Sequence, residues 1–231
     1  MTMCCLNRVF WFILPVFLVI GSSLHSQENL TAYWQPSIAL NYKVTKTYAH
    51  HFSVQNRNYV FDDEVVELSV RQLDVTHFSS LKLQDNQSVA LGMLYRFRET
   101  FDGGSNELRL TQQYNITSRP FVVRYGQRFR AEQRITRTKT THRFRYRLSL
   151  DFPLIGQKLD IGEPYLVTNA ESLLSVAQGS QPQYDARLTV NLGWKLSKNT
   201  KVQLGMEYRS EDFSQELEQV LFFLSTCTIS L

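Results

Sequence analysis

Residues 141–152 read THRFRYRLSLDF, with Arg143, Arg145 and Arg147 separated by Phe144 and Tyr146. Just upstream, RFRAEQR at 128–134 places Arg128, Arg130, Glu132 and Arg134 on one parity, which Arg124 shares. Further along, Arg187, Glu207 and Arg209 repeat the pattern. A guanidinium is a planar fork of donors that fits oxyanions. A row of them can grip a polyanion, pair with carboxylates, or line a path for anions. In an extended chain alternate residues share a face. The row is therefore one charged face whose other side is aromatic and aliphatic.

The elements that must hold these residues show the same alternation. In 34–44, Trp34, Pro36, Ile38, Leu40, Tyr42 and Val44 oppose Gln35, Ser37, Ala39, Asn41 and Lys43. Segments 88–98, 121–131, 185–196 and 201–209 alternate similarly, and weaker versions fill 48–60, 65–81, 106–116, 159–171 and 217–231. Period-two patterning predicts strands, and no stretch after residue 27 carries a helical period. Turn-forming clusters such as DGGSN at 102–106 and SKN at 197–199 separate the segments.

Composition narrows the class. The 231 residues are 43% hydrophobic, too apolar for a disordered chain. A mean hydropathy of -0.26 excludes a bundle of membrane helices. Residues 1–26 have one early arginine, Arg8, an apolar run from Val9 to Ile20, then small residues, the layout of a cleaved signal peptide. A retained anchor is the alternative, although Pro15 interrupts the run. Residues 27–231 form the remaining domain. Cys4 and Cys5 fall in the signal and leave Cys227 alone, so no internal disulfide framework is available.

Strands of 10–14 residues suit a tilted bilayer crossing better than a soluble sandwich. The expected fold is all-β: an antiparallel up-and-down transmembrane β-barrel of 10–12 strands. Even counts are usual in bacterial barrels. A misread segment around 60–83, or a strand beginning within 27–33, would reconcile the number. Location follows as the outer membrane of a Gram-negative bacterium. A soluble exported sheet protein, with its aromatics in a core, is the rival.

The stretches YW then LNYKV, RFRAEQR, RFRYRLSL, YLVTNAE and LGWKLSKNTKVQLGMEYR resemble a family of Gram-negative outer-membrane barrels known only as a domain of unknown function (DUF 2490). The last two carry most of the resemblance. It implies a barrel and a location, and brings no activity and no catalytic residues.

If the aromatics face lipid, Arg124, Arg128, Arg130, Arg134, Arg143, Arg145, Arg147, Arg187 and Arg209 face a lumen with Glu132 and Glu207. Arg57, Arg71, Arg96, Arg98, Arg109, Lys43, Lys195 and Lys201 bring the basic total to 17. Glu67, Glu107, Asp151 and Asp185 bring the acids to 6. Such a lumen is either a salt-bridge plug or a narrow anion-preferring channel. A hairpin register that sets Glu132 against Arg145 also sets Arg130 against Arg147. Like charges opposite one another are unfavourable, so an acid from a third strand or a bound anion is required.

Partners expected are outer-membrane lipid and, for an open lumen, a small anionic solute. Nucleic acid is not expected, and neither a cofactor nor a metal is; oligomeric state is open. An outer-membrane lipid-modifying enzyme is a further alternative. It would need a serine and histidine at one rim, and His142 is the candidate residue, although it points toward lipid in this phase.

Overall fold

The computed structural model describes residues 30–62 and 65–231. The signal-peptide reading of 1–26 therefore lies outside the described residues, as do Asp63 and Glu64. Twelve strands follow one another: β1 (Leu30–Lys43), β2 (Tyr48–Asp62), β3 (Val65–Val66), β4 (Val70–Gln84), β5 (Gln87–Phe97) and β6 (Glu107–Ser118). The second half comprises β7 (Arg124–Ile135), β8 (Thr140–Pro153), β9 (Pro164–Ala177), β10 (Gln183–Lys195), β11 (Thr200–Glu211) and β12 (Glu218–Ser230).

Eleven of these are long, and they close into a barrel. The two-residue β3 only extends one end of β2. Successive long strands pair antiparallel, but β12 returns to β1 in parallel, from Leu30 opposite Gln219 to Asn41 opposite Ser230. Closure with an odd number of strands demands this, because the first and last strands then run the same way. The eleven long strands fall within the 10–12 expected from sequence; among the described residues Leu30 opens β1 itself, and the 60–83 region splits into β3 and β4.

β1 and β12 both start at one end of the barrel, here the upper mouth, which also carries loops 98–106, 178–182 and 212–217. The lower mouth carries the turns at 44–47, 85–86 and 196–199 and the longer loop 154–163. Hydroxyl side chains hold several turns. The Tyr48 N–H donates to Thr45 Oγ1 at 3.0 Å, and the Thr200 N–H donates to Ser197 Oγ at 3.0 Å.

Buried residues are mainly polar: fourteen polar or charged against eight apolar. Large aliphatics sit on the outer wall, with Ile38 64% and Leu91 67% exposed. The faces are thus the inverse of a soluble sandwich. A bulge helps fill the interior. Opposite Arg57 and Asn58, β4 carries an extra residue, Arg71. Such an insertion re-aims a side chain, and Arg71 turns inward beside Gln72 and Asp74. Glycine also makes room: a Cβ on Gly205 would stand 2.5 Å from the Val190 carbonyl oxygen.

Candidate functional site

The arginine row begins with the β7–β8 hairpin. Its turn is closed by the Thr136 N–H donating to the Lys139 carbonyl at 2.9 Å, which sets Ile135 opposite Thr140. The register then places Glu132 opposite Arg143, Arg130 opposite Arg145 and Arg128 opposite Arg147. This is two residues from the register considered above, and it leaves two like-charged rungs, Arg130 with Arg145 and Arg128 with Arg147.

The acid that relieves them comes from β9. Glu171 lies opposite Arg147 on β8 and Arg187 on β10. Its carboxylate accepts from Arg145 Nη2 at 2.6 Å and from Arg147 Nε at 2.6 Å. Arg145 Nη1 reaches Glu132 at 3.0 Å, and Arg130 Nη1 reaches the same oxygen at 3.4 Å. Arg130 also donates to Gln113 Oε1 at 2.6 Å. The Arg145 guanidinium, 9% exposed, therefore bridges two carboxylates across β7, β8 and β9.

Two more clusters flank this one. Toward β4, Arg96 grips Asp74 with both arms at 2.8 and 2.7 Å, and Arg134 grips Glu107 at 3.0 and 2.7 Å, with Arg109 also on Glu107. Toward β11, Arg209 Nε pairs with Glu207 at 2.5 Å, while Thr189 Oγ1 donates to the other Glu207 oxygen at 2.9 Å. Arg209 lies 3.8 Å from the Phe222 ring centroid and Arg57 lies 4.8 Å from it. Tyr33 stacks beside Phe222 at 5.1 Å and receives Arg71 on its hydroxyl.

A cavity of about 1040 Å³ occupies the upper part of the interior. Nine of the eleven residues singled out from sequence line it: Arg130, Glu132, Arg134, Arg143, Arg145, Arg147, Arg187, Glu207 and Arg209. Arg128 donates to Asn115 outside its lining, and Arg124 pairs with Asp151 at 2.5 Å in a largely exposed position. Glu67 is not an interior acid. It is exposed in the link between β3 and β4, because the strand there breaks.

Sequence reasoning missed Asp74, Glu171 and the cavity position of Glu211. In β9 the inner row runs Tyr165, Val167, Asn169, Glu171, Leu173 and Ser175, and the outer row includes Thr168, Ala170 and Ser172. Neither row is distinctly polar, so parity gave no signal. Asp74 had one: it shares parity with Thr76 and Phe78 on a strand whose other row is Leu73, Val75 and His77.

On the outer wall, Ser79 Oγ lies 3.0 Å from the Tyr48 hydroxyl and 3.4 Å from His50 Nδ1. That same nitrogen faces His77 Nε2 at 3.0 Å. The His50 nitrogen is thus shared between Ser79 and His77. His142 lies across from Gln133 and Val176. Among the described residues no group of three or more histidine, cysteine or acidic side chains could hold a metal ion.

A family model described as "Protein of unknown function (DUF2490)" matches residues 31–220. The chain belongs to the DUF2490 family. Neither a curated protein nor a solved structure matches it. The DUF2490 match runs from the second residue of β1 to Val220 in β12, so it takes in every charged cluster described above.

Proposed function

We propose that this chain is an outer-membrane β-barrel that does not conduct freely, with a lumen stopped by paired charges and a receptive cavity on one side of the stop. The Arg145 bridge between Glu132 and Glu171 carries the reading, because it gathers the charges of three neighbouring strands inside the lumen, where Arg130 also lies 5.2 Å from the Phe78 ring on β4. Interior side chains can fill a barrel of this size.

The outer wall supports the location. A band containing Ile38, Leu91, Leu188 and Leu204 is exposed. Trp34 and Tyr184 lie toward its upper edge, and Tyr42 and Tyr125 toward its lower edge, where amphipathic rings favour a membrane boundary. Closing the sheet pairs the strand edges, as hydrocarbon demands. The channel reading draws on the cavity and would make the lumen anion-preferring.

Fractionation with a gel run before and after boiling tests the location. A heat-modifiable band in the outer-membrane fraction is expected, and a soluble periplasmic protein without that shift would refute it. Planar bilayers test the stop. The wild-type barrel should show no steady current, whereas a steady ohmic current with anion preference would establish the channel instead.

A further inference from the structure

Three inward arginines have no carboxylate within ion-pair distance among the described residues: Arg57, Arg128 and Arg143. Two of them, Arg57 and Arg143, line the cavity. Each is anchored through Nε alone and by a neutral acceptor. Arg57 Nε donates to Gln35 Oε1 at 3.1 Å, and Arg143 Nε donates to Ser175 Oγ at 3.0 Å. Phe222 and Tyr33, at 4.8 and 5.5 Å, hold the Arg57 plane in place. The two terminal nitrogens of each fork make no hydrogen bond among the described residues, and that pair can grip an oxyanion end-on with two parallel bonds.

Arg187 adds a third observation. Its residue is 8% exposed, it lines the cavity, and its buried Nε has no partner. Its ion pairs are loose, at 3.5 Å to Glu211 and 3.7 Å to Asp185. Glu211 lies within electrostatic reach of Arg209, Arg187, Arg143 and Arg57 together. It touches Arg187 at 3.5 Å and Arg209 at 3.4 Å, and neither contact is close. Glu211 is thus divided between Arg187 and Arg209, while the forks of Arg57 and Arg143 stay open.

We infer that Arg57 and Arg143, backed by Arg187, form a binding site for a small soluble oxyanion carrying at least two negative charges. Two unmatched guanidiniums ask for two charges. Both phosphoryl and carboxylate groups fit the forks. The inference rests on the proposal above that the lumen is a receptor and not a path.

The test is calorimetric titration of the folded full barrel in zwitterionic detergent at low salt, with pyrophosphate and separately with citrate. Saturable binding of pyrophosphate alone identifies a phosphoryl ligand, and of citrate alone a polycarboxylate. Binding of both identifies a site for charge rather than type. Acetate at matched ionic strength should give no saturable heat. Arg57→Gln with Arg143→Gln, in protein that still shows the heat-dependent gel shift, should weaken binding by about tenfold or more. Arg119→Gln, in the lower-mouth loop, should bind like wild type. Absence of saturable heat with either probe at millimolar concentration would overturn the site, as would undiminished binding by the double variant. A barrel silent in bilayers that binds neither probe defeats only this inference. One that conducts steadily defeats the receptor reading whatever the titration gives.

Discussion

Glu171 holds Arg145 and Arg147 at 2.6 Å and has Arg187 at 3.9 Å, while its own side chain is 4% exposed. An acid so placed contributes less through net attraction than through what its loss would uncover. Desolvation consumes much of the gain from a buried pair, but removing one partner strands the other. Glu171→Gln keeps the shape and removes the charge, leaving Arg128, Arg145 and Arg147 facing one another. The expected loss is about 3–5 kcal/mol of unfolding free energy, read by denaturant titration of the detergent-held barrel. A loss within error of zero would mean that water or a counter-ion already neutralises the row.

At the scale of elements, Asp102 ties the β5–β6 loop to Arg98 and Arg71, beside the Asn106 side chain that accepts from the Arg98 and Glu99 N–H groups. Asp102 accepts from Arg98 Nη2 at 2.7 Å and from the Gly104 N–H at 3.1 Å, with Arg71 at 3.7 Å. Burial works against its charged form, but the Arg98 bond, the Gly104 N–H and the charges of Arg98 and Arg71 outweigh that and hold its pKa below the ordinary value. A carboxyl depressed in the fold stabilises above its unfolded pKa, about 3.9, and that stabilisation fades as pH falls through the folded value. Amide exchange in 98–106, corrected for intrinsic rates, should therefore speed up between about pH 6 and pH 3. In Asp102→Asn it should be fast at both. Equal pH dependence in the variant would assign the effect to another group.

The same scale shows what was legible in the sequence. Parity exposed the inner and outer faces of β7, β8, β10 and β11, because an inner row of arginines and an outer row of rings can be told apart. Register was not legible from parity. A slip of two residues leaves every side chain on its own face, so setting Glu132 against Arg145 or against Arg143 looks alike until the turn is known. The four residues Thr136–Lys139 decide it, through a hydroxyl and a carbonyl rather than a glycine or proline signal. β9 hid Glu171 because its faces are mixed. Arg71, counted with the lumen residues from sequence, shares its parity with the outward Leu73 and Val75 and reaches the interior only through a bulge.

For the whole molecule, the parallel seam between β1 and β12 is the pairing that closes the barrel. Asn41 and Ser230 sit together there, 189 positions apart, so their pairing carries the largest loop-closure cost in the barrel. Ending the chain at Leu217 removes β12 and leaves β1 and β11 as open edges. On an unheated gel that truncated chain should migrate as the boiled form does. A fast-migrating, heat-sensitive band would show that the remaining ten long strands close by themselves. The seam also has a consequence for protein engineering. In an even-stranded barrel the two chain ends adjoin, and a short peptide can join them to make a circular permutant. Here Leu30 and Ser230 stand at opposite mouths. A joining peptide would have to span the full height of the wall, roughly 40 Å of extended chain, either through the crowded interior or along the apolar outside.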